Sequence, residues 1–145
     1  MRISDILRVK GDRVVTVQPD AIVTELLTLL AQHKIGAVIV SADGAHVDGI
    51  VSERDVVRAL ANRGAAVLSE PVNRIHTTQV RSVAPDASIE DVERLMTDNR
   101  FRHVPVVQDG TLKGVVSIGD VVKNRIDELE SERSSLTGYI TGERV

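Results

Sequence analysis

Two stretches of the chain repeat each other in the same order, and this duplication constrains the fold more than any other feature. Val14-Val15-Thr16-Val17-Gln18-Pro19-Asp20-Ala21 returns as Val80-Arg81-Ser82-Val83-Ala84-Pro85-Asp86-Ala87. Each copy continues with an amphipathic run, a short apolar run and Asp-Gly, at Asp43-Gly44 and Asp109-Gly110. Gly49-Ile50-Val51-Ser52-Glu53-Arg54-Asp55-Val56-Val57 then matches Gly114-Val115-Val116-Ser117-Ile118-Gly119-Asp120-Val121-Val122, with one extra residue before Gly49.

The two copies predict the same elements. Val14–Val17 and Val80–Val83 read as short strands. Pro19-Asp20 and Pro85-Asp86 punctuate them, and Asp can cap the following helix. Ile22, Leu26, Leu29 and Leu30 share one helical face, as do Ile89, Val92, Leu95 and Met96. Ile35–Val40 and Phe101–Val107 are β-branched strands. The two Asp-Gly pairs signal hairpin turns, and Val47–Val51 and Leu112–Val116 return. Second helices open at Ser52 and Ser117.

A strand-helix-strand-strand-helix unit of roughly 50–60 residues buries little surface alone. Two such units packed through their sheets share one core, so the expected fold is a pseudo-twofold α/β pair. The expected boundaries are 1–66 for the first unit with its N-terminal segment, 67–126 for the second, and 127–145 for a helical extension and tail. The connector 61–79, with Gly64 and Pro71, reads as a crossover. Thr137 to Gly142 read as a loosely held tail.

Composition narrows the function classes. The net charge is -3 and no Lys/Arg-rich run is present, so nothing offers a basic face to nucleic acid. One Phe, one Tyr and no Trp exclude a base-stacking platform. The absence of cysteine removes disulfides, thiolate nucleophiles and Cys-ligated metals. His33, His46, His76 and His103 form no metal-ligand spacing, so no metal site is expected. No signal-type apolar region opens the chain, and no apolar run approaches the ~20 residues needed to span a bilayer. The expectation is a cytoplasmic protein without membrane or nucleic-acid partners. No residue set for nucleophilic catalysis can be picked out, so no enzymatic activity is expected.

The chemistry rests on Gly49-x-x-Ser52-x-x-Asp55 and Gly114-x-x-Ser117-x-x-Asp120. Ser-x-x-Asp at a strand-to-helix junction is a relative of the capping box, in which the Ser and the acid satisfy helix N–H groups. The same residues suit a nucleoside phosphate. Glycine allows close approach of a ligand, a helix N-terminus favours phosphate, and an Asp one turn inside can accept both ribose hydroxyls.

The duplicated segment, with His103-Val104-Pro105-Val106 ahead of the second copy, resembles the CBS-domain family. Two such copies form a Bateman module, and the resemblance spans roughly residues 3 to 126. It implies an adenosyl ligand, with AMP, ADP, ATP, NAD(H) and S-adenosylmethionine as candidates, and no required cofactor. It places Asp120 and Asp55 on ribose, and Ser117 and Ser52 near phosphate. Thr16 and Ser82 fall near the base, and Val104 and Val106 flank or read it through the strand. The copies depart from the pattern differently. Ile39 stands where the second copy has Pro105, and Ile118-Gly119 stand where the first has Glu53-Arg54. Arg54, with Arg58 one turn later, could reach phosphate in copy one. Copy two must borrow charge, from Arg100, Arg102, His103 or Lys123.

The family also implies a homodimer, with Val56, Val57, Val121 and Val122 as candidate helix-face contacts, and a separate regulated protein. The competing reading is a ligand-free module for dimerisation or partner binding, in which Ser-x-x-Asp serves only as a cap.

Overall fold

The computed structural model describes residues 1–11 and 14–140. The elements run α1 (Ile3–Lys10), β1 (Thr16–Val17), α2 (Val23–His33), β2 (Ala37–Val40), β3 (Gly49–Ser52) and α3 (Glu53–Arg63). Two 3-10 turns follow, Ala65–Ser69 and Val72–Arg74. The second copy supplies α4 (Ile89–Asn99), β4 (His103–Gln108), β5 (Thr111–Ser117) and α5 (Ile118–Ile140). β1 runs parallel to β2, which is antiparallel to β3, while β4 and β5 form an antiparallel pair.

Apolar spacing decides which helix faces turn inward. Val23, Leu26 and Leu30 of α2 are buried, as are Ile89, Val92 and Met96 of α4. The helices start later than Asp20 and Asp86 suggest. Their N-caps are Ile22 and Ser88, and Ser88 Oγ accepts from Asp91 N–H at 3.1 Å. Both helices end on a left-handed residue, Lys34 (φ 54°) and Arg100 (φ 57°).

The copies differ where their turn chemistry differs. Asp109 (φ 52°) and Gly110 (φ 77°) supply the two positive-φ positions of a tight hairpin. Asp43-Gly44 does not make that turn, because Asp43 spends its carboxylate on the loop. Its Oδ1 accepts from the Ala45 and His46 N–H groups, each at 2.8 Å, and buried Ser41 Oγ accepts from Gly44 N–H. The returning strand therefore begins at Gly49 rather than Val47. The expected strand Val80–Val83 shrinks to one parallel bridge, Val83 to Val106, since exposed Arg81 and Ser82 have no apolar side chain to bury.

Two aliphatic cores form, and the chain crosses between them. One gathers Val17, Val23, Leu26, Leu30, Val38, Val40, Val51 and Val56, together with Val67 and Val72 from the connector. The other gathers Ile89, Val92, Met96, Val104, Val106, Val116 and Val121, together with Ile3 and Ile6 from α1. α1 thus packs on the second unit and the connector on the first, across the expected boundaries at 1–66 and 67–126. The crossing is itself duplicated. Ile3 and Ser4 N–H donate to the Ala87 and Pro85 carbonyls at 2.9 and 2.8 Å. Val72 and Asn73 N–H donate to the Ala21 and Pro19 carbonyls at 2.7 and 2.9 Å.

Two further expectations change. Thr137–Ile140 belong to α5 rather than to a loose tail, while Thr141 and Gly142 lie outside the described residues. Val56 and Val121 are 3% and 4% exposed in their own cores, which leaves only Val57 and Val122 of the four candidate contacts at the surface.

Candidate functional site

Each repeat motif builds the same corner, a strand that ends on Ser and turns directly into a helix. Ser52 Oγ accepts from Asp55 N–H at 3.2 Å, and Ser117 Oγ from Asp120 N–H at 3.1 Å. Each Asp Oδ2 accepts in return from its Ser N–H at 2.9 Å. Both motifs are complete capping boxes, and none of these bonds uses Oδ1.

The motif glycines do different work from the ligand approach expected of them. A β-carbon at Gly114 would meet Leu7 Cδ2 of α1 at 2.7 Å. One at Gly49 would meet the Thr77 carbonyl oxygen at 2.7 Å and His76 Nδ1 at 2.8 Å. Each glycine admits the segment that crosses over from the other unit.

The units meet at a cleft of about 260 Å³. Its walls include Leu7 and Lys10 of α1, Val14 and Val15 ahead of β1, Lys34 to Ala37 at the start of β2, and His103 and Ser117. Gly36 makes room here, since a β-carbon on it would stand 3.9 Å from His103 Cε1 and 3.3 Å from Glu53 Oε1. Lys10 Nζ donates to Asp120 Oδ2 at 2.7 Å and to the Val115 carbonyl at 2.8 Å. Asp120 does not line the cleft; Lys10, bonded to it, does.

These neighbours set the protonation states. Burial pushes the Asp120 carboxyl up, but Lys10 and the Ser117 N–H and hydroxyl outweigh it and hold the group below its ordinary 3.8. Burial lowers His103 below 6.5, Lys10 adds to the effect, and Asp120 and Glu53 oppose it. The cleft thus presents a neutral imidazole beside two lysines at neutral pH.

Of the residues picked out from sequence, Ser117 and His103 line this cleft and Asp120 stands behind Lys10. Ser52 and Asp55 pair with each other at the other corner. Thr16 is half-buried in β1 opposite Ile39, and Ser82 is exposed. Val104 and Val106 are 0% exposed, so their side chains belong to the core and only their backbone is left to meet a base. Arg102 is exposed, and its carbonyl accepts from Ile118 N–H at 2.8 Å. Arg54 and Arg58 are exposed and join no ion pair among the described residues.

Sequence reasoning missed Lys10 and Lys34. Lys34 carries a usable signal, since it aligns with Arg100 at the end of an equivalent helix. Lys10 lies outside the visible repeat, and only the crossed packing of α1 brings it to Asp120.

Comparison with known proteins identifies the family and the fold. The family model described as "CBS domain" matches residues 3–62 and 72–127. The CBS domain-containing protein CBSX3, mitochondrial, of Arabidopsis thaliana is 34% identical, over 97% of this chain and 72% of its own length. The crystal structure of the CBS-domain containing protein ATU1752 from Agrobacterium tumefaciens is 46% identical and superposes with a TM-score of 0.83, covering 86% of this chain and 99% of that one. The CBS domain pair of protein MJ0100, solved in complex with 5′-methylthioadenosine and S-adenosyl-L-methionine, shares the fold at 22% identity and a TM-score of 0.76, covering 85% of this chain and 98% of that one.

Proposed function

The chain belongs to the CBS-domain family, as a tandem pair, and from that premise we propose that it is a regulatory protein that binds an adenosyl ligand between its units and acts on a separate partner. The observation that carries this reading is the Ser117–Asp120 corner placed behind a cleft where the two units meet. A ligand that bridges elements of both units changes how they pack, and a partner that distinguishes the two packings feels the change. The adenosyl compounds bound by the MJ0100 pair support this class of ligand. AMP, ADP, ATP, NAD(H) and S-adenosylmethionine are the compounds to test.

The role is regulatory rather than catalytic and needs no cofactor. The place of action is the cytoplasm, and the assembled form is a homodimer. No helix among the described residues is long and apolar enough to cross a membrane. Exposed Ile118, Val122 and Ile126 on α5 support the dimer, together with Val57 on α3.

A thermal-shift panel against those compounds tests the proposal. A ligand present at 100 times its dissociation constant adds ~2.7 kcal/mol to the folded state. A shift with at least one compound, lost in Asp120→Ala or Asp55→Ala, supports the reading. No shift with any of them favours the alternative, a module for dimerisation or partner binding whose Ser-Asp pairs are only caps.

A further inference from the structure

We propose that Lys10 sets the charge of the ligand this cleft accepts, by holding Asp120 when the cleft is empty and turning to an anionic group when it is filled. The inference rests on the adenosyl reading of the cleft and adds a selection rule to it.

The geometry supplies the argument. Lys10 Nζ bonds both Asp120 Oδ2 and the Val115 carbonyl, so it stands between the carboxylate and the cleft. A ribose whose two hydroxyls take both Asp120 oxygens must displace the charge-assisted Lys10 bond at Oδ2, and such bonds are roughly twice as strong as neutral ones. A neutral adenosyl compound without an acidic group, such as adenosine or 5′-methylthioadenosine, gives the released ammonium nothing in exchange. A phosphate does, because Lys10 remains a cation at the cleft wall. Lys34 stands on the same wall, and among the described residues no acidic side chain lines the cleft. The volume agrees. About 260 Å³ is below the ~300–1,000 Å³ of sites for drug-sized ligands, and Lys10 is one of the side chains that line it.

The duplicated crossing provides an internal comparison. Ile3 and Ser4 make the same backbone bonds as Val72 and Asn73, and counting onward from these pairs sets Lys10 against Gln79. The backbones diverge after these pairs, since α1 stays helical to Lys10 while the connector leaves its 3-10 turn at Arg74 and bonds β3 through Thr77, and none of the ion pairs among the described residues involves Asp55. The two corners therefore differ in the charge that holds the Asp, although their capping boxes are alike.

Calorimetric titration of the full chain with adenosine, 5′-methylthioadenosine, AMP and ATP tests this, in an Asp55→Asn background that isolates the Asp120 corner. Lys10→Gln removes the charge, and Lys10→Arg keeps it. Without a change at position 10, the expected result is tighter binding of AMP and ATP than of adenosine. Lys10→Gln is expected to tighten adenosine and 5′-methylthioadenosine by about tenfold and to weaken ATP, while Lys10→Arg keeps the original order. Equal changes for all four compounds in Lys10→Gln, or no change, with binding retained, overturn the role of Lys10 and leave the adenosyl reading standing. Absence of binding by all four compounds, to every variant and to the chain without substitutions, removes both.

Discussion

Gly49 is pressed against Thr77, so that a β-carbon at position 49 would stand 2.7 Å from the Thr77 carbonyl oxygen. Ile50 and Thr77 also exchange both backbone bonds, at 2.9 and 2.8 Å. The connector is thereby bonded to the first unit along β3, and neither a backbone carbonyl nor a two-bond bridge can yield without breaking that link. Gly114 has the same close approach, but to Leu7 Cδ2, the far end of a flexible side chain. Gly49→Ala is therefore expected to cost ~1–3 kcal/mol, in the range of overpacked sites, and Gly114→Ala clearly less. Urea unfolding of both variants checks the order, and a larger loss for Gly114→Ala refutes the account.

His46 reports on the loop that replaces the first hairpin. Its ring nitrogen bonds Asp43 Oδ2, and this bond raises the imidazole above its ordinary 6.5. A raised folded value contributes stability that is fully present below 6.5 and is lost as pH rises through the folded value. Both side chains are exposed, so the contribution is small and the titration itself is the measurement. NMR titration is expected to place His46 above 6.5, and Asp43→Asn to return it towards that value. A His46 titration that is unchanged in Asp43→Asn contradicts the assignment.

Asp120 has the opposite sign. Burial raises its carboxyl, but Lys10 and Ser117 together hold it below 3.8. Its contribution is therefore present above 3.8 and is lost as pH falls through the lower folded value. Asp120→Asn is expected to be less stable than the unsubstituted chain at pH 7, with the difference shrinking below pH 3.8. Ser117→Ala, which removes the cap acceptor and the hydroxyl's part in holding Asp120 but leaves Lys10 and the backbone N–H, is expected to cost ~0.5–2 kcal/mol with a weaker pH dependence than Asp120→Asn. Chemical unfolding at neutral and acid pH separates the two, and a pH-independent difference for Asp120→Asn rules out the ionic part.

The pair of units, most of the elements along each and both capping corners could be read from the chain, because residue types within a few positions of each other decide them. The limits appear at longer range. Asp43 and Asp109 precede glycine alike, yet only Asp109 turns a tight hairpin, since Ser41 and the extra residue give Asp43 a loop to organise. Ile3 and Ile6 carry no sign of which core they enter, and their choice of the second unit follows from tertiary packing. The pairing of Lys10 with Asp120 follows from that choice, so the most specific feature of the cleft was beyond local pattern. Val104 and Val106 were found as strand residues, but a motif does not say which way a buried side chain points.

The proposed homodimer makes the last prediction. Ile118, Val122 and Ile126 recur at helical spacing along α5 and are 47%, 49% and 49% exposed, beside a groove of about 300 Å³ between α4 and α5. Leu129 and Leu136 continue the apolar exposure along the same helix, at 51% and 62%. Monomeric proteins rarely leave such a continuous apolar strip in water, and a self-complementary strip closes as a twofold dimer. Val9 is more exposed, at 87%, but belongs to α1 and not to the α5 strip. Val122→Glu places a charge in the middle of the strip and is expected to convert a dimer to a monomer in sedimentation velocity, whereas Val9→Glu leaves the dimer intact. If the unsubstituted chain sediments as a monomer at concentrations well above those used for ligand binding, α5 is not a self-association face, and its apolar strip belongs to the regulated partner instead.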